Sequence, residues 1–243
     1  MHRLQSIVLA KSHGDAPCRS CDVRHSSVCS AIDIEDLDRL AATATERDVH
    51  KGQTFIEEGQ PATAFFNITK GTAKLFKLLP DGRQQITGFA TVGHFLGLAV
   101  SDTYAFSAEA IEPMRLCWFA RSRLREVLED FPLLKQRLLQ TACNELVTAQ
   151  EQMLLLGRKT APERVASFLV AQSHDVVSCR NPIDHIAVPM TRTDVADYLG
   201  LTIETVSRVL SRFRADKRIA MPSNHEISIL DRGWLQALAT GLN

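Results

Sequence analysis

Residues 132–156 read PLLKQRLLQTACNELVTAQEQMLLL, and the rest of the chain is arranged around them. Leu139, Ala142, Leu146, Ala149, Met153 and Leu156 recur at alternating steps of three and four. That is the a/d seam of a heptad repeat. Neither Gly nor Pro interrupts it after Pro132, and Gly157 is expected to end the helix. The periodicity admits two readings: a helix that pairs with its twin in a dimer, or one helix that packs an apolar stripe into its own domain. Before this stretch the pattern is strand-like; after it, helical.

The chain has 243 residues, enough for two domains with separate cores. Its apolar fraction is 45% and no apolar run approaches the roughly 18 residues of a membrane span. The first residues, MHRLQSIVLAKSHGD, lack the pattern of a secretory signal, so a cytoplasmic protein with no membrane partner is expected. The formal net charge is zero, which excludes a global basic footprint. Locally, Arg208, Arg212, Arg214, Lys217 and Arg218 outnumber Glu204 and Asp216, an excess suited to phosphate or to a solvated helix face.

From Gln53 to Phe119 short β-rich runs alternate with turns. Seven of the twelve glycines fall at 52, 59, 71, 82, 88, 93 and 97, which predicts an antiparallel barrel or jelly roll. Tyr104, Phe106, Ala108 and Ala110 alternate as one half-buried strand, and Met114–Phe119 reads as the last long one. Ahead of them, Asp33 is expected to open a helix over 34–43, with Ile34, Leu37 and Ala41 inward.

Beyond Gly157, Thr160-Ala-Pro-Glu163 is a capping box. Thr191 and Asp194 start a helix with Val195, Ala196 and Leu199 inward, Gly200 turns the chain, and Thr202 caps a second helix. The second helix points Ile203, Val206, Val209, Leu210 and Phe213 inward. Two short helices around a glycine make a helix-turn-helix, against the alternative of a plain helical hairpin. Residues 219–229 read as a β-hairpin wing with Ser223-Asn224-His225 at its tip. Glu204, Ser207 and Arg208 share the outward N-terminal face of the second helix. Glu can accept from cytosine, Arg can donate twice to guanine, and Ser can serve several bases. Arg212 and Arg214 are placed for backbone phosphate.

Six cysteines occur, at 18, 21, 29, 117, 143 and 179, and disulfides are not expected in a reducing compartment. Cys18, Cys21 and Cys29 stand in the spacing C-x2-C-x7-C among residues with nothing to bury. A soft metal explains them: zinc, with His13 or His25 as a further ligand, or an iron–sulfur cluster. Three incidental thiols are the alternative. Cys117, between Leu116 and Trp118, reads from its neighbours alone as an inert buried thiol.

KGQ at 51–53, GTAK at 71–74, QITGF at 85–89, MLLL at 153–156 and GLTIETVSR at 200–208 together resemble the CRP/FNR superfamily of regulators. The likeness is closer to its oxygen-sensing FNR group, including the FnrN-like members, which share the seven-residue spacing before the third cysteine. The resemblance covers nearly the whole chain. It implies an α+β fold: an N-terminal β-roll sensor domain, jelly-roll-like, a long dimerisation helix and a C-terminal winged helix-turn-helix. The expected boundaries are 1–30 for a cysteine-rich segment, 31–130 for the β-roll, 131–156 for the dimerisation helix and 157–243 for the DNA-binding domain. The resemblance further implies a homodimer, bound to double-stranded DNA at an inverted repeat of TTGAT type and recruiting RNA polymerase. The exposed turn 79–85 is a candidate polymerase contact.

By motif match, Cys18, Cys21, Cys29 and Cys117 would hold a [4Fe-4S] cluster, which changes the reading of Cys117. Glu204, Ser207 and Arg208 would read bases, while Thr191, Thr202, Thr205, Arg212 and Arg214 would meet the DNA backbone. The cyclic-nucleotide branch shares the β-roll, but it holds its phosphate with an Arg-Ser pair and its ribose with a Glu. Here 104–108 is YAFSA, with no Arg, and 97–99 is GLA, with no Glu. A buried phosphate without a cation would be costly. No nucleophile–base motif or nucleotide-binding glycine loop suggests an enzyme.

Overall fold

The computed structural model describes residues 18–98, 102–174 and 184–242. His13 and Cys179 lie outside the described residues. Two compact units emerge: residues up to Lys77 with Gly88–Val147, and Leu78–Thr87 with the chain from Thr148 onward.

The first unit begins with short 3-10 turns at Arg24–Ser26, Val28–Ala31 and Ile34–Asp36, then α1 (Leu37–Ala41). The single helix expected over 34–43 is thus a 3-10 turn followed by a short α-helix, and Ile34 is 60% exposed rather than inward. Eight strands follow: β1 (Ala44–Val49), β2 (Thr54–Ile56), β3 (Ala64–Lys70), β4 (Ala73–Leu78), β5 (Gln84–Ala90), β6 (Phe95–Leu96), β7 (Ser107–Ala110) and β8 (Met114–Ala120). They form two four-stranded sheets, ordered β1-β8-β3-β6 and β2-β7-β4-β5. Helices α2 (Arg121–Asp130) and α3 (Pro132–Arg158) follow.

β3 is buried on both faces, which is why it reads as an unbroken apolar run instead of an alternation. Phe66 and Ile68 face one core, with Ile56, Ala108 and Leu116. Phe65 faces a second core, with Phe95, Phe119, the cysteine-bearing segment and Leu124, Leu134 and Leu138 of the helices. The strand expected from Tyr104 starts only at Ser107. The Tyr104 hydroxyl donates to Ala64 O (2.9 Å) and accepts from Ala64 N (3.1 Å), which spends the ring on a buried anchor rather than on ladder pairing.

α3 runs two residues past the expected end, with Gly157 inside it in open space. No neighbour forces a break there, and the energetic cost of a helical glycine is only about 1 kcal/mol. Along α3, Leu139, Leu146 and Met153 are 65%, 60% and 72% exposed, and Ala142 and Ala149 are exposed as well.

The second unit contains α4 (Ala161–His174), β9 (Asp184–Ala187), α5 (Arg192–Leu199), α6 (Ile203–Ala215), β10 (Ile219–Ser223), β11 (Glu226–Ile229) and α7 (Arg232–Thr240). Its sheet is ordered β10-β11-β9, so the expected two-stranded wing has a third strand. β9 is short and carries one fully buried residue, Ile186, too little alternation to register in sequence. Val165, Leu169, Leu199, Val206, Leu210 and Phe213 are each at most 3% exposed and build the core. Ile203, expected inward, is 42% exposed because it opens the first turn of α6. Among the described residues no helix is long and apolar enough to cross a membrane.

Candidate thiol centre and nucleic-acid interface

Cys18, Cys29 and Cys117 belong to the second apolar core of the first unit, although Cys18 and Cys117 lie 99 positions apart in the sequence. The loop that carries the first three is wound from its own polar groups. Ser27 Oγ accepts from Cys29 N (3.3 Å), Arg24 N donates to Cys21 O (3.2 Å), and Ile32 N donates to Cys29 O (3.2 Å). Arg19 grips Asp38 with two bonds of 2.9 and 2.7 Å, which ties the loop to α1 from the solvent side. At the β5–β6 turn, Gly93 has φ +92, and a Cβ there would lie 2.9 Å from Ser26 O. Only glycine lets that turn approach the cysteine loop so closely.

Burial and neighbouring thiols perturb Cys18, Cys29 and Cys117. Burial, then the Cys29 and Cys21 thiols, pushes Cys18 up to about 11. Burial, then Cys18, Cys29 and Cys21, pushes Cys117 up to about 12. Burial also raises Cys29. Arg24 opposes the shift at Cys18 and Cys29, but burial prevails. Left to the protein alone, Cys18, Cys29 and Cys117 are neutral thiols in apolar surroundings. A metal would reverse that, because it binds the thiolate and expels the proton. A small apolar cavity beside Cys29, walled by Leu40, Phe95, Leu134 and Leu138, keeps polar groups at a distance. His25, a candidate zinc ligand, is exposed. Among the described residues no three His, Cys, Asp or Glu side chains close around a single metal ion. Cys143 is exposed on α3, away from this group in sequence and setting.

In the second unit the helix-turn-helix is fixed at both ends of its turn. Thr191 Oγ1 accepts from Asp194 N (3.1 Å) and donates to Asp194 Oδ2 (2.6 Å), while Thr191 N also donates to Oδ2 (2.9 Å). This capping box starts α5. Gly200 ends the helix with φ +60, and a Cβ there would come within 3.2 Å of Leu156 Cδ2. Thr202 Oγ1 accepts from Thr205 N (3.2 Å) and starts α6. Val206, Leu210 and Phe213 anchor one face of α6, and Phe213 meets Trp234 edge-on at 5.1 Å.

The opposite face of α6 exposes Glu204, Ser207, Arg208 and Arg212, with Arg214 exposed near the C-terminus. Glu204 is held below the usual carboxylate range by its own backbone N–H and the Thr202 hydroxyl, so it is a ready acceptor. Arg212 lies 3.8 Å from Asp216, a contact that leaves its guanidinium accessible. Of the threonines expected at the DNA backbone, Thr191 has its hydroxyl hydrogen directed to Asp194, and Thr202 and Thr205 share one hydrogen bond of 3.1 Å. Capping is therefore their first role.

One residue that sequence reasoning passes over holds this unit together. Arg164 donates to Leu156 O and Lys159 O at the end of α3 (both 2.9 Å), and to Leu199 O (2.9 Å) and Gly200 O (3.4 Å) in the turn. Gln152 Nε2 adds a bond to Tyr198 O (2.8 Å). The end of the long helix is thus fastened to the turn that sets the angle of α6.

Residues 163–238 match the Crp-like helix-turn-helix domain, and residues 46–131 match the cyclic nucleotide-binding domain. The chain is 39% identical to the nitrogen fixation regulation protein FixK of Bradyrhizobium diazoefficiens, over 96% of this chain and 98% of that protein. It is 35% identical to the transcriptional activator protein FnrL of Cereibacter sphaeroides, over 88% of each. With the transcriptional activator protein Anr of Pseudomonas protegens it shares 33% identity, over 96% of this chain and 97% of the relative. The solved structure of FixK2 from Bradyrhizobium japonicum superposes with a TM-score of 0.75 at 35% identity, covering 80% of this chain and 96% of that one. The chain is a DNA-binding transcription regulator, not an enzyme, and it belongs to the CRP/FNR family, in its FNR group.

Proposed function

We propose that the chain is an oxygen-responsive regulator whose Cys18, Cys21, Cys29 and Cys117 hold a [4Fe-4S] cluster. The convergence of Cys18, Cys29 and Cys117 on one apolar core, with Cys21 close enough to act on Cys117, carries the reading. Their chemistry suits a soft metal. When bound, the cluster supplies oxygen-labile cross-links between the N-terminal segment and β8. The chain's own part is to hold the sulfurs in dry surroundings and to keep the loop near the base of α3, where Leu134 and Leu138 share the core of Cys18 and Cys29.

The seam Leu139, Ala142, Leu146, Ala149, Met153 and Leu156, exposed as far as Met153 and half-buried at Leu156, then pairs with a second copy. Its alanines bury little area, so pairing is close to balanced and open to bias from the thiol centre. Pairing sets two α6 helices one DNA turn apart, on an inverted repeat of TTGAT type. Glu204, Ser207 and Arg208 read base edges, while Arg212 and Arg214, with the capped helix ends at Thr191, Thr202 and Thr205, meet phosphate. The turn 79–85, with Leu79 in it and Leu78 beside it both exposed, meets RNA polymerase. A cyclic nucleotide does not suit the β-roll. Ser107 is 6% exposed and its hydroxyl accepts from Glu58 N (3.0 Å), so it is engaged within the protein, and the sequence offers no Arg beside it.

The test is anaerobic reconstitution with ferrous iron and sulfide, an absorption spectrum before and after air, and sedimentation on a TTGAT-type duplex in parallel. Cluster absorbance, dimer and duplex binding are expected to vanish together in air. Zinc without acid-labile sulfide in anaerobically purified protein, or an equally tight dimer after air, overturns the proposal.

A further inference from the structure

The β3–β8 register places Asn67 directly opposite Cys117, and on its other side opposite Phe95 of β6. Direct partners in an antiparallel pair share a face, with Cβ atoms about 4.5–5.5 Å apart. Asn67 therefore stands on the face that carries Phe65, Phe95, Cys117 and Phe119, beneath the cysteine loop. It is 2% exposed, and its Oδ1 has no hydrogen-bond partner among the described residues. A buried, unsatisfied amide destabilises a fold and calls for a reason. Packing gives none, since a leucine of similar size would fill the same space.

Cys117 has two cross-strand neighbours, Glu46 on β1 and Asn67 on β3. Glu46 is an exposed carboxylate and can only accept, so it repels a thiolate. Asn67 is the neighbour able to donate. Its amide turns over about its last bond without a change of shape, which exchanges Oδ1 for Nδ2. Resting on the cluster reading above, we infer that Asn67 is a positioning residue: its Nδ2 donates a hydrogen bond to the Cys117 sulfur when that sulfur ligates as a thiolate. An N–H···S bond disperses charge on the ligand, and so slows oxidative loss of the centre. Without the centre, the buried Asn67 Oδ1 has no partner among the described residues.

The experiment compares wild type, Asn67→Leu and Asn67→Ser as full chains, each reconstituted anaerobically with ferrous iron and sulfide. Two quantities are read: decay of cluster absorbance in air, and the thermal midpoint of the metal-free protein. In Asn67→Leu the absorbance is expected to decay roughly five-fold faster, while the metal-free midpoint holds or rises. Asn67→Ser, which keeps a donor, is expected to recover part of the wild-type decay time. Equal decay in wild type and Asn67→Leu overturns the inference. So does a clearly lower metal-free midpoint in Asn67→Leu, because the amide would then have a partner within the protein. Should Asn67→Leu not fold, a wild-type decay rate in both Asn67→Ser and Asn67→Ala overturns it. Failure of the wild type itself to gain cluster absorbance is a different result: it removes the cluster reading and this inference with it.

Discussion

Among the described residues, the buried polar groups of the winged helix are answered by its own chain, whereas several in the thiol-bearing unit are not. Asp194 is 7% exposed and takes two N–H or O–H donors from Thr191; Arg164 spends itself on four carbonyls. In the first unit Arg24 Nε, Arg47 Nε and Asn67 Oδ1 lack partners among the described residues, and burial holds Cys18 and Cys117 as neutral thiols. A unit whose function is to present a fixed surface to DNA benefits from complete internal satisfaction. On the proposed reading, a unit that responds leaves polar valence for a guest. The comparison is breakable on either side.

The largest effect is expected at Cys21. Cys21→Ser replaces a soft donor with a poor one, and should abolish cluster absorbance and anaerobic activation together, with the second unit's fold intact by circular dichroism. Retained activation would mean that the first unit needs no guest. Next comes Phe213→Ala, which removes a side chain 2% exposed and its edge-on contact with Trp234. Its expected cost is about 3–5 kcal/mol by urea unfolding, with thiol chemistry unchanged. A loss below roughly 1 kcal/mol would show that the winged helix is less tightly built than its packing indicates.

How far each region was legible follows from the same contrast. The winged helix is written in local signals: Thr191 to Asp194, Gly200, Thr202, then apolar steps of three and four, and the structure places caps and turn where those residues stand. Local signals fail where distant strands decide. β9 was invisible because its partner, β11, lies about 40 residues on. Arg164 was invisible because its four carbonyls meet only after folding. Asn67 looks like one polar residue in an apolar strand until register sets it against Cys117. The cysteine spacing suggested metal but left its kind open, and Cys117 read as inert from its neighbours. Resemblance joined it to the other three, and the apolar core holds it with Cys18 and Cys29.

A smaller effect separates reading from gripping on α6. Arg208→Ala is expected to cost about 1–3 kcal/mol on the cognate duplex and to relax preference at one base pair. Arg214→Ala should weaken cognate and random duplexes alike and lower the salt slope by about one per protomer. Measuring both variants on both duplexes across a salt series checks the assignment. A variant pair with the two behaviours exchanged would reverse the two roles.

The smallest effect is local and depends on pH. Glu163 Oε2 accepts from Thr160 N at 2.7 Å, and this bond, then the Thr160 hydroxyl, holds its carboxyl below the ordinary 4.5. A carboxyl lowered on folding stabilises above its unfolded value, and loses that contribution as pH falls through the folded one. Glu163→Ala should therefore melt slightly below wild type at pH 7, and the gap should close as pH drops from about 4.5 toward 3. Glu163→Gln, which keeps an acceptor without the charge, should show a smaller gap at pH 7, and that gap should also close as the wild-type carboxyl is protonated. The side chain faces solvent, so added salt should shrink the Ala gap as well. Melting curves for the three proteins between pH 3 and 7 decide it. A gap for Glu163→Ala that is equal at both ends would mean that the start of α4 relies on Pro162 and packing rather than on its carboxylate cap.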